Sequence, residues 1–424
     1  MIKNVSYTLL AKIVAMVFYL ATDIVVARML NIDGYSEWTY FYSVATMLGY
    51  VTWFGINASV KVFVSKQNDE KERTECLRAG LILRLLISIF FAVLIMALSY
   101  PFAKVLGYPD KYANLDKLIL MSGAMVFTSS FTEFFKETSI GLERYKDVLI
   151  ITTIEFGLNF LFSFIGICIY HNPTAVAAGY IIAGIFELIA GCMIYRQYIA
   201  IDKDIKSKLD TARITALAKK IMKYAIPLVI ISFGGMVLIE MDTVMLGMLS
   251  SREQVSVYAV AKKLCQKATH INYALCTGTM TAFSVITYET IVEKRKKFNK
   301  LCGINILVAV TVSLGFIIAG PLAIKILYGS EYREAGDVIR LLTPYYILYS
   351  ISNFYSLFLD FHNKATFRSL CYVLTLVINL ILNWMLIPPM GANGAAIATA
   401  VSLIPYTVLV IIQTEKIFAK YREK

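Results

Sequence analysis

Long apolar runs separated by short polar connections dominate this chain. A membrane-crossing helix needs about 20 apolar residues. Runs of that kind occupy 5–30, 39–64, 79–101, 117–138, 148–170, 174–195, 221–248, 255–285, 299–320, 338–361, 366–388 and 392–413. They predict an all-α integral membrane protein with twelve transmembrane helices. The fourth, eighth and tenth runs carry charges and are the most polar of the set. The first run is too long for a signal-peptide core and has no small-residue cleavage motif before the second, so it is expected to stay in the protein.

The pattern is written twice. Asp23-Ile-Val-Val-Ala-Arg-Met-Leu30 returns as Asp242-Thr-Val-Met-Leu-Gly-Met-Leu249, and Tyr100-Pro101 returns as Gly320-Pro321. Leu158-Asn159 returns as Ile378-Asn379, and Ala177-Ala178 as Ala395-Ala396. The shifts are 219, 220, 220 and 218 residues. Six spans on either side of one polar segment give halves of the same orientation, related by an axis along the membrane normal. The expected organisation is an N-terminal six-helix lobe over 1–200, a cytoplasmic linker over 201–220 and a C-terminal six-helix lobe over 221–424. Two parallel lobes around a central cavity are the architecture of a transporter.

Composition agrees with a membrane protein. Apolar residues make up 58% and charged residues 17% of the 424, and the mean hydropathy is +0.66, outside the range of soluble domains. The net charge of +12 would suit nucleic acid if it formed one face, but it does not. With the N-terminus in the cytoplasm, 28 of the 41 Lys and Arg fall on the cytoplasmic side, 8 outside and 5 within spans. That asymmetry follows the positive-inside rule and predicts that both termini are cytoplasmic. The basic surplus then encodes topology and contact with anionic membrane lipids. The seven cysteines are scattered without paired spacing, and the three histidines are far apart. Neither a disulfide framework nor a metal centre is expected.

A charge at mid-bilayer costs roughly 2.5–3.5 kcal/mol on insertion scales, so charges inside spans need a reason. Helical spacing places Lys12, Tyr19 and Asp23 on one face of the first span, and Lys263, Lys267 and His270 on one face of the eighth. Thr152, Glu155, Asn159 and Ser163 form a stripe on the fifth, repeated on the eleventh by Thr375, Asn379 and Asn383. Polar faces on equivalent helices of both halves are what a water-filled cavity requires. A plainer alternative stands beside this one. Asn and Thr in spans also serve to bond neighbouring helices, at roughly 0.6 kcal/mol each, and Lys12, Lys262 and Lys263 can snorkel to headgroups. Glu240 and Asp242 point to roughly opposite helix faces, and Asp242, repeating Asp23, is as well suited to a structural role as to a functional one. Pro227 is expected to act as a hinge in the seventh span. Glu133, Lys136 and Glu137 are expected at the cytoplasmic end of the fourth span, and Arg84 near that of the third, where it can snorkel.

Several stretches resemble a known family. They are Ala27-Arg28-Met-Leu30 through Gly34-Tyr35, Ile226-Pro227-Leu228 with Met241-Asp242-Thr-Val-Met-Leu-Gly247, and Tyr258-Ala259-Val-Ala-Lys262-Lys263-Leu264. Pro321 to Gly329, Val377-Ile-Asn379-Leu-Ile-Leu-Asn383, Ile387-Pro388 and Gly394 to Thr399 continue the series. In order and spacing they resemble the polysaccharide-transporter branch, Wzx-type O-antigen flippases, of the multidrug/oligosaccharidyl-lipid/polysaccharide exporter superfamily. The resemblance implies a MATE-like exporter fold and a flippase. Its cargo would be an undecaprenyl-pyrophosphate-linked oligosaccharide, moved from the inner to the outer leaflet of the bacterial cytoplasmic membrane by alternating access. It suits Lys12, Lys263 and Lys267 as pyrophosphate contacts and Tyr19, Asn159, Asn379 and Asn383 toward the sugars, with His270 a further cavity candidate. Glu155 and Asp23 are candidates for coupling to a proton or sodium gradient; no other cofactor is expected, and polysaccharide assembly proteins are expected partners. A lipid II flippase and a multidrug or cation antiporter are the alternatives within transport. A membrane glycosyltransferase, polymerase or acyltransferase would need a long outer loop or a clustered catalytic set, and neither is present.

Overall fold

The computed structural model describes residues 2–53, 55–199, 211–280, 283, 289–362 and 364–420. Apolar helices are the form in which such runs can satisfy their backbone groups inside lipid, and all regular structure among these residues is helical. The helices are α1 (Ile2–Met29), α2 (Asn31–Trp53), α3 (Ile56–Ser65), α4 (Glu70–Ala97), α5 (Ser99–Val105), α6 (Leu115–Gly141), α7 (Tyr145–Tyr170) and α8 (Pro173–Ile199). Then come α9 (Thr211–Leu249), α10 (Arg252–Met280), α11 (Ile291–Leu327), α12 (Ala335–Leu341), α13 (Thr343–Phe361) and α14 (Ala365–Lys420). Among the described residues seven helices have the length and apolarity to cross a membrane, eight if the bent pair α2–α3 counts as one span. One of the seven, 55 residues long, covers both the eleventh and the twelfth expected spans.

Local chemistry sets the breaks. Asp69 caps α4 by accepting from the Glu72 amide at 3.1 Å, with Glu70 and Glu72 in its first turn, where acids suit the helix dipole. Asn172 accepts from the Ala175 amide at 2.8 Å ahead of α8, which begins on Pro173. The α2–α3 span breaks at Gly55. Its φ is +64°, and a Cβ there would stand 2.5 Å from the Ala225 carbonyl oxygen. Pro388 and Pro389 remove two backbone donors from α14. Two residues later Gly391 turns to φ +55°, and two helices meet at an angle.

The chain forms two compact units, Met1–Met236 and Val237–Lys424. In the N-terminal unit α7 packs on α1 and α8, and α6 on α3, α4 and α8. Phe131, Phe134, Phe135 and Tyr195 centre its core. Ile221 and Ala225 of α9 are buried in the same core, which is why the first part of α9 belongs to this unit. In the C-terminal unit α13 packs on α10, α11 and α14 around Phe283, Phe298, Phe354, Phe358 and Phe418. Residues 201–210 of the expected linker lie outside the described residues, and 211–220 are the start of α9. The seven cysteines are all unpaired.

Candidate functional site

Each unit encloses a polar network, and the two differ in charge. In the N-terminal unit Lys136 on α6 bridges Glu133 at 2.6 Å and Glu155 on α7 at 3.0 Å. Beside it Glu187 on α8, 5% exposed, accepts from Thr132 Oγ1 at 2.8 Å and Asn159 Nδ2 at 3.2 Å. Among packed apolar helices two carboxylates therefore share one ammonium group, and a third, Glu187, stands beside them on neutral donors alone. An ionised carboxylate in such surroundings needs a cation or several hydrogen bonds, so a set with more acids than cations is suited to take up a proton or small cation. Asp23 lies on α1, buried, and accepts from the Tyr35 hydroxyl at 3.0 and 3.1 Å.

In the C-terminal unit Asp242 on α9, 2% exposed, accepts from Tyr258 at 2.8 Å, Thr399 at 2.7 Å and Asn383 at 2.6 Å. Asn383 also donates to Asn379 Oδ1 at 3.0 Å. Among the described residues no cation pairs with Asp242. Glu240 faces elsewhere, and the buried Lys262 donates to it at 2.9 Å and to Thr243 at 3.0 Å. Deeper packing holds a neutral triad in which Asn272 bonds to Asn305, Asn353 donates to Asn272, and Asn305 donates to the Ser350 carbonyl. Among the described residues no three His, Cys, Asp or Glu converge on a metal position.

The stripes expected from helical spacing are divided by tertiary packing. On α1, Lys12 is exposed, Tyr19 half-buried and Asp23 buried. On α10, Lys263 and Lys267 are half-buried and His270 is exposed. Glu155 and Asn159 join one network through Lys136 and Glu187. Asn379 and Asn383 join a different one, around Asp242. Pro227 lies within α9, but its side chain is outside the described residues.

Two sequence expectations change. Arg84 does not snorkel: it is fully buried, donating to the carbonyls of Thr52 and Trp53, to Asn57 Oδ1 and to Ser88 Oγ. It thereby serves the carbonyls that the end of α2 leaves without helical partners. Glu133, Lys136 and Glu137 stand in the last turns of α6, which ends at Gly141, and Lys136 also pairs with Glu155 on the neighbouring helix. Lys262 is held by Glu240 and not released to headgroups. The sequence pattern singled out Glu187, with Glu155, Asp23 and Glu240, as an acid suited to a cationic cargo, but did not mark Lys136, Tyr258 and Thr399 as network members. One signal exists: Tyr35 and Tyr258 follow Asp23 and Asp242 by 12 and 16 residues.

A family model described as polysaccharide biosynthesis protein matches residues 1–277. The probable low-salt glycan biosynthesis flippase Agl15 of Haloferax volcanii is 26% identical over 196 residues, covering 45% of this chain and 41% of that protein. The lipid II flippase MurJ of Bacillus subtilis is 27% identical over 447 residues, covering 94% of this chain and 78% of that protein. Among solved structures, an inward-facing multidrug resistance MATE family transporter of the MOP superfamily superposes with a TM-score of 0.72 at 12% identity, covering 97% of this chain and 96% of that one. At that identity the likeness shows the fold alone, the MATE-like all-α fold that the family resemblance implied.

Proposed function

This chain belongs to the polysaccharide biosynthesis protein family, and on that premise we propose that it is a multi-pass membrane flippase for a lipid-linked oligosaccharide. The observation that carries the reading is the family match over residues 1–277, joined by similarity to two flippases. The finer reading is an undecaprenyl-pyrophosphate-linked repeat unit, O-antigen or another surface polysaccharide. It is moved between the leaflets of the bacterial cytoplasmic membrane by alternating access, with both termini cytoplasmic, and handed to polysaccharide assembly proteins. Lys12, Lys263 and Lys267 are the cations offered to the pyrophosphate, with Tyr19, His270 and Asn159 toward sugar hydroxyls. Asn379 and Asn383 act through the Asp242 network. Glu155, with Lys136 and Glu187 around it, is the coupling group, and Asp23 is the second candidate.

Two readings share the fold. Similarity to MurJ along 94% of the chain supports lipid II as cargo equally well. The acid-rich interior of the N-terminal unit supports a drug or cation antiporter, since a cationic cargo pairs with carboxylates. Complementation separates them. The chain is expected to restore surface polysaccharide in a strain lacking its O-antigen flippase. Restored growth of a lipid II flippase-null strain would assign the other lipid-linked cargo, and rescue of neither, with drug efflux, would assign the antiporter. The double variant Lys263→Ala/Lys267→Ala is expected to lower export at least tenfold at unchanged membrane abundance, because each lost charged contact costs about 1.5–3 kcal/mol. Normal export would remove both residues from the mechanism.

A further inference from the structure

An open cleft of about 670 Å³ lies at one end of the C-terminal unit, where α9 gives way to α10, α11 to α12, and the two parts of α14 meet. Its polar lining is Ser250, Gln254, Glu334, Asp337 and Asn393, with Pro389 and Met390 in the apolar wall. No lysine or arginine is among its lining residues.

The wall is built in advance. Gln254 Oε1 accepts from the Ala392 amide at 2.8 Å, and its Nε2 donates to Glu334 at 3.1 Å. Gly391 lets this contact form, since a Cβ there would meet Gln254 Oε1 at 2.5 Å. Glu334 pairs with no cation among the described residues, whereas the exposed Asp337 shares Arg340 at 3.0 Å. Asn393 Oδ1 is buried and has no hydrogen-bond partner, which leaves a costly vacancy for a donor.

The internal repeat places an acid–amide contact in both units. Glu37 and Asn114 of the N-terminal unit stand 217 and 220 residues before Gln254 and Glu334. There the acid is on the buried side: Glu37, 2% exposed, accepts from the Asn114 amide at 2.7 Å and Nδ2 at 3.1 Å. In the C-terminal unit amide and acid have changed places. The same contact forms, and the carboxylate now stands on the exposed residue at the cleft.

We propose that this cleft is a glycan subsite. Glu334 and Asp337 accept hydroxyl or amino protons of sugar residues, and Pro389 and Met390 meet the apolar ring face. It takes uncharged or aminated sugars and rejects anionic ones. Its volume lies within the range of small-molecule sites, about 300–1,000 Å³, room for a short oligosaccharide. The identity of the ligand rests on the flippase reading; the chemistry of the cleft does not.

Saturation-transfer NMR on the full chain in nanodiscs tests it, with maltotriose, chitotriose, triglucosamine and sulfated maltotriose as probes. Transfer is expected to at least one of the first three and not to the sulfated sugar. Glu334→Gln is expected to weaken binding about tenfold, the loss of one charged hydrogen bond. Ser250→Trp, which fills the cleft with an indole, is expected to abolish it. Transfer to none of the probes, or transfer that survives both substitutions, overturns the assignment. A chain that complements a flippase-null strain yet binds none of these sugars sinks the cleft alone. One that binds them without complementing sinks the flippase reading alone.

Discussion

The N-terminal unit buries charge where the C-terminal unit buries neutral polar groups. At a shift of 220 residues Glu133, Lys136 and Glu155 become Asn353, Ser356 and Thr375, and at the shift of 218 that relates Ala177 to Ala395 Glu187 becomes Pro405. The neutral set is satisfied locally: Ser356 pairs with Tyr406, while Thr375 donates to a carbonyl of its own helix. Arg84 meets the same fate one residue off the shift of 220, where Asn305 stands. The C-terminal unit keeps its own ion pair elsewhere, Lys262 with Glu240. A doubled scaffold has therefore been kept while the costly groups were moved. Buried ions persist only with partners, and around Lys136 two acids share one ammonium while Glu187 relies on neutral donors.

The largest effect should come from removing the shared cation. Lys136→Met leaves Glu133 and Glu155 without it, and thermal unfolding in nanodiscs is expected to show a loss of about 3–5 kcal/mol. Ser356→Ala at the equivalent place is expected to cost only about 1 kcal/mol. Equal losses would mean that the charged network is ordinary packing. Adding Glu155→Gln to Lys136→Met should recover part of the loss, since one uncompensated acid is then gone.

Next in size is a point where the units should agree. Tyr35→Phe and Tyr258→Phe each withdraw a hydroxyl from a buried aspartate, and each is expected to cost about 1.5–3 kcal/mol. A large loss in one and none in the other would show that Asp23 and Asp242 do different work. The smallest effect on stability, and the sharpest on coupling, belongs to Glu155→Gln. Transport in vesicles is expected to lose its dependence on the ion gradient, while Thr375→Val keeps it; unchanged ion dependence would reject Glu155 as the coupling group.

Much of this was legible in the sequence. Among the described residues each of the twelve expected spans falls on one or two helices or on half of α14, because span length and apolarity are local properties. The Glu155 stripe and the opposed faces of Glu240 and Asp242 followed from helical spacing. What spacing along one helix cannot supply is the neighbour. The ion pair of Lys136 was not foreseen because its carboxylate partner Glu155 lies on α7. Arg84 was assigned to the membrane surface because the open carbonyls that hold it lie at a break in α2–α3. The exchange between Glu37–Asn114 and Gln254–Glu334 was likewise invisible until both contacts could be compared.

The central claim is that this chain moves a glycan-bearing lipid between leaflets. The direct measurement is leaflet-resolved translocation of a lipid-linked oligosaccharide by the purified protein in liposomes. The account predicts that labelled glycan becomes accessible on the opposite face, and that Lys263→Ala/Lys267→Ala liposomes fall at least tenfold behind. No translocation above protein-free liposomes, with a cationic drug exchanged for protons by the same preparation, would contradict it.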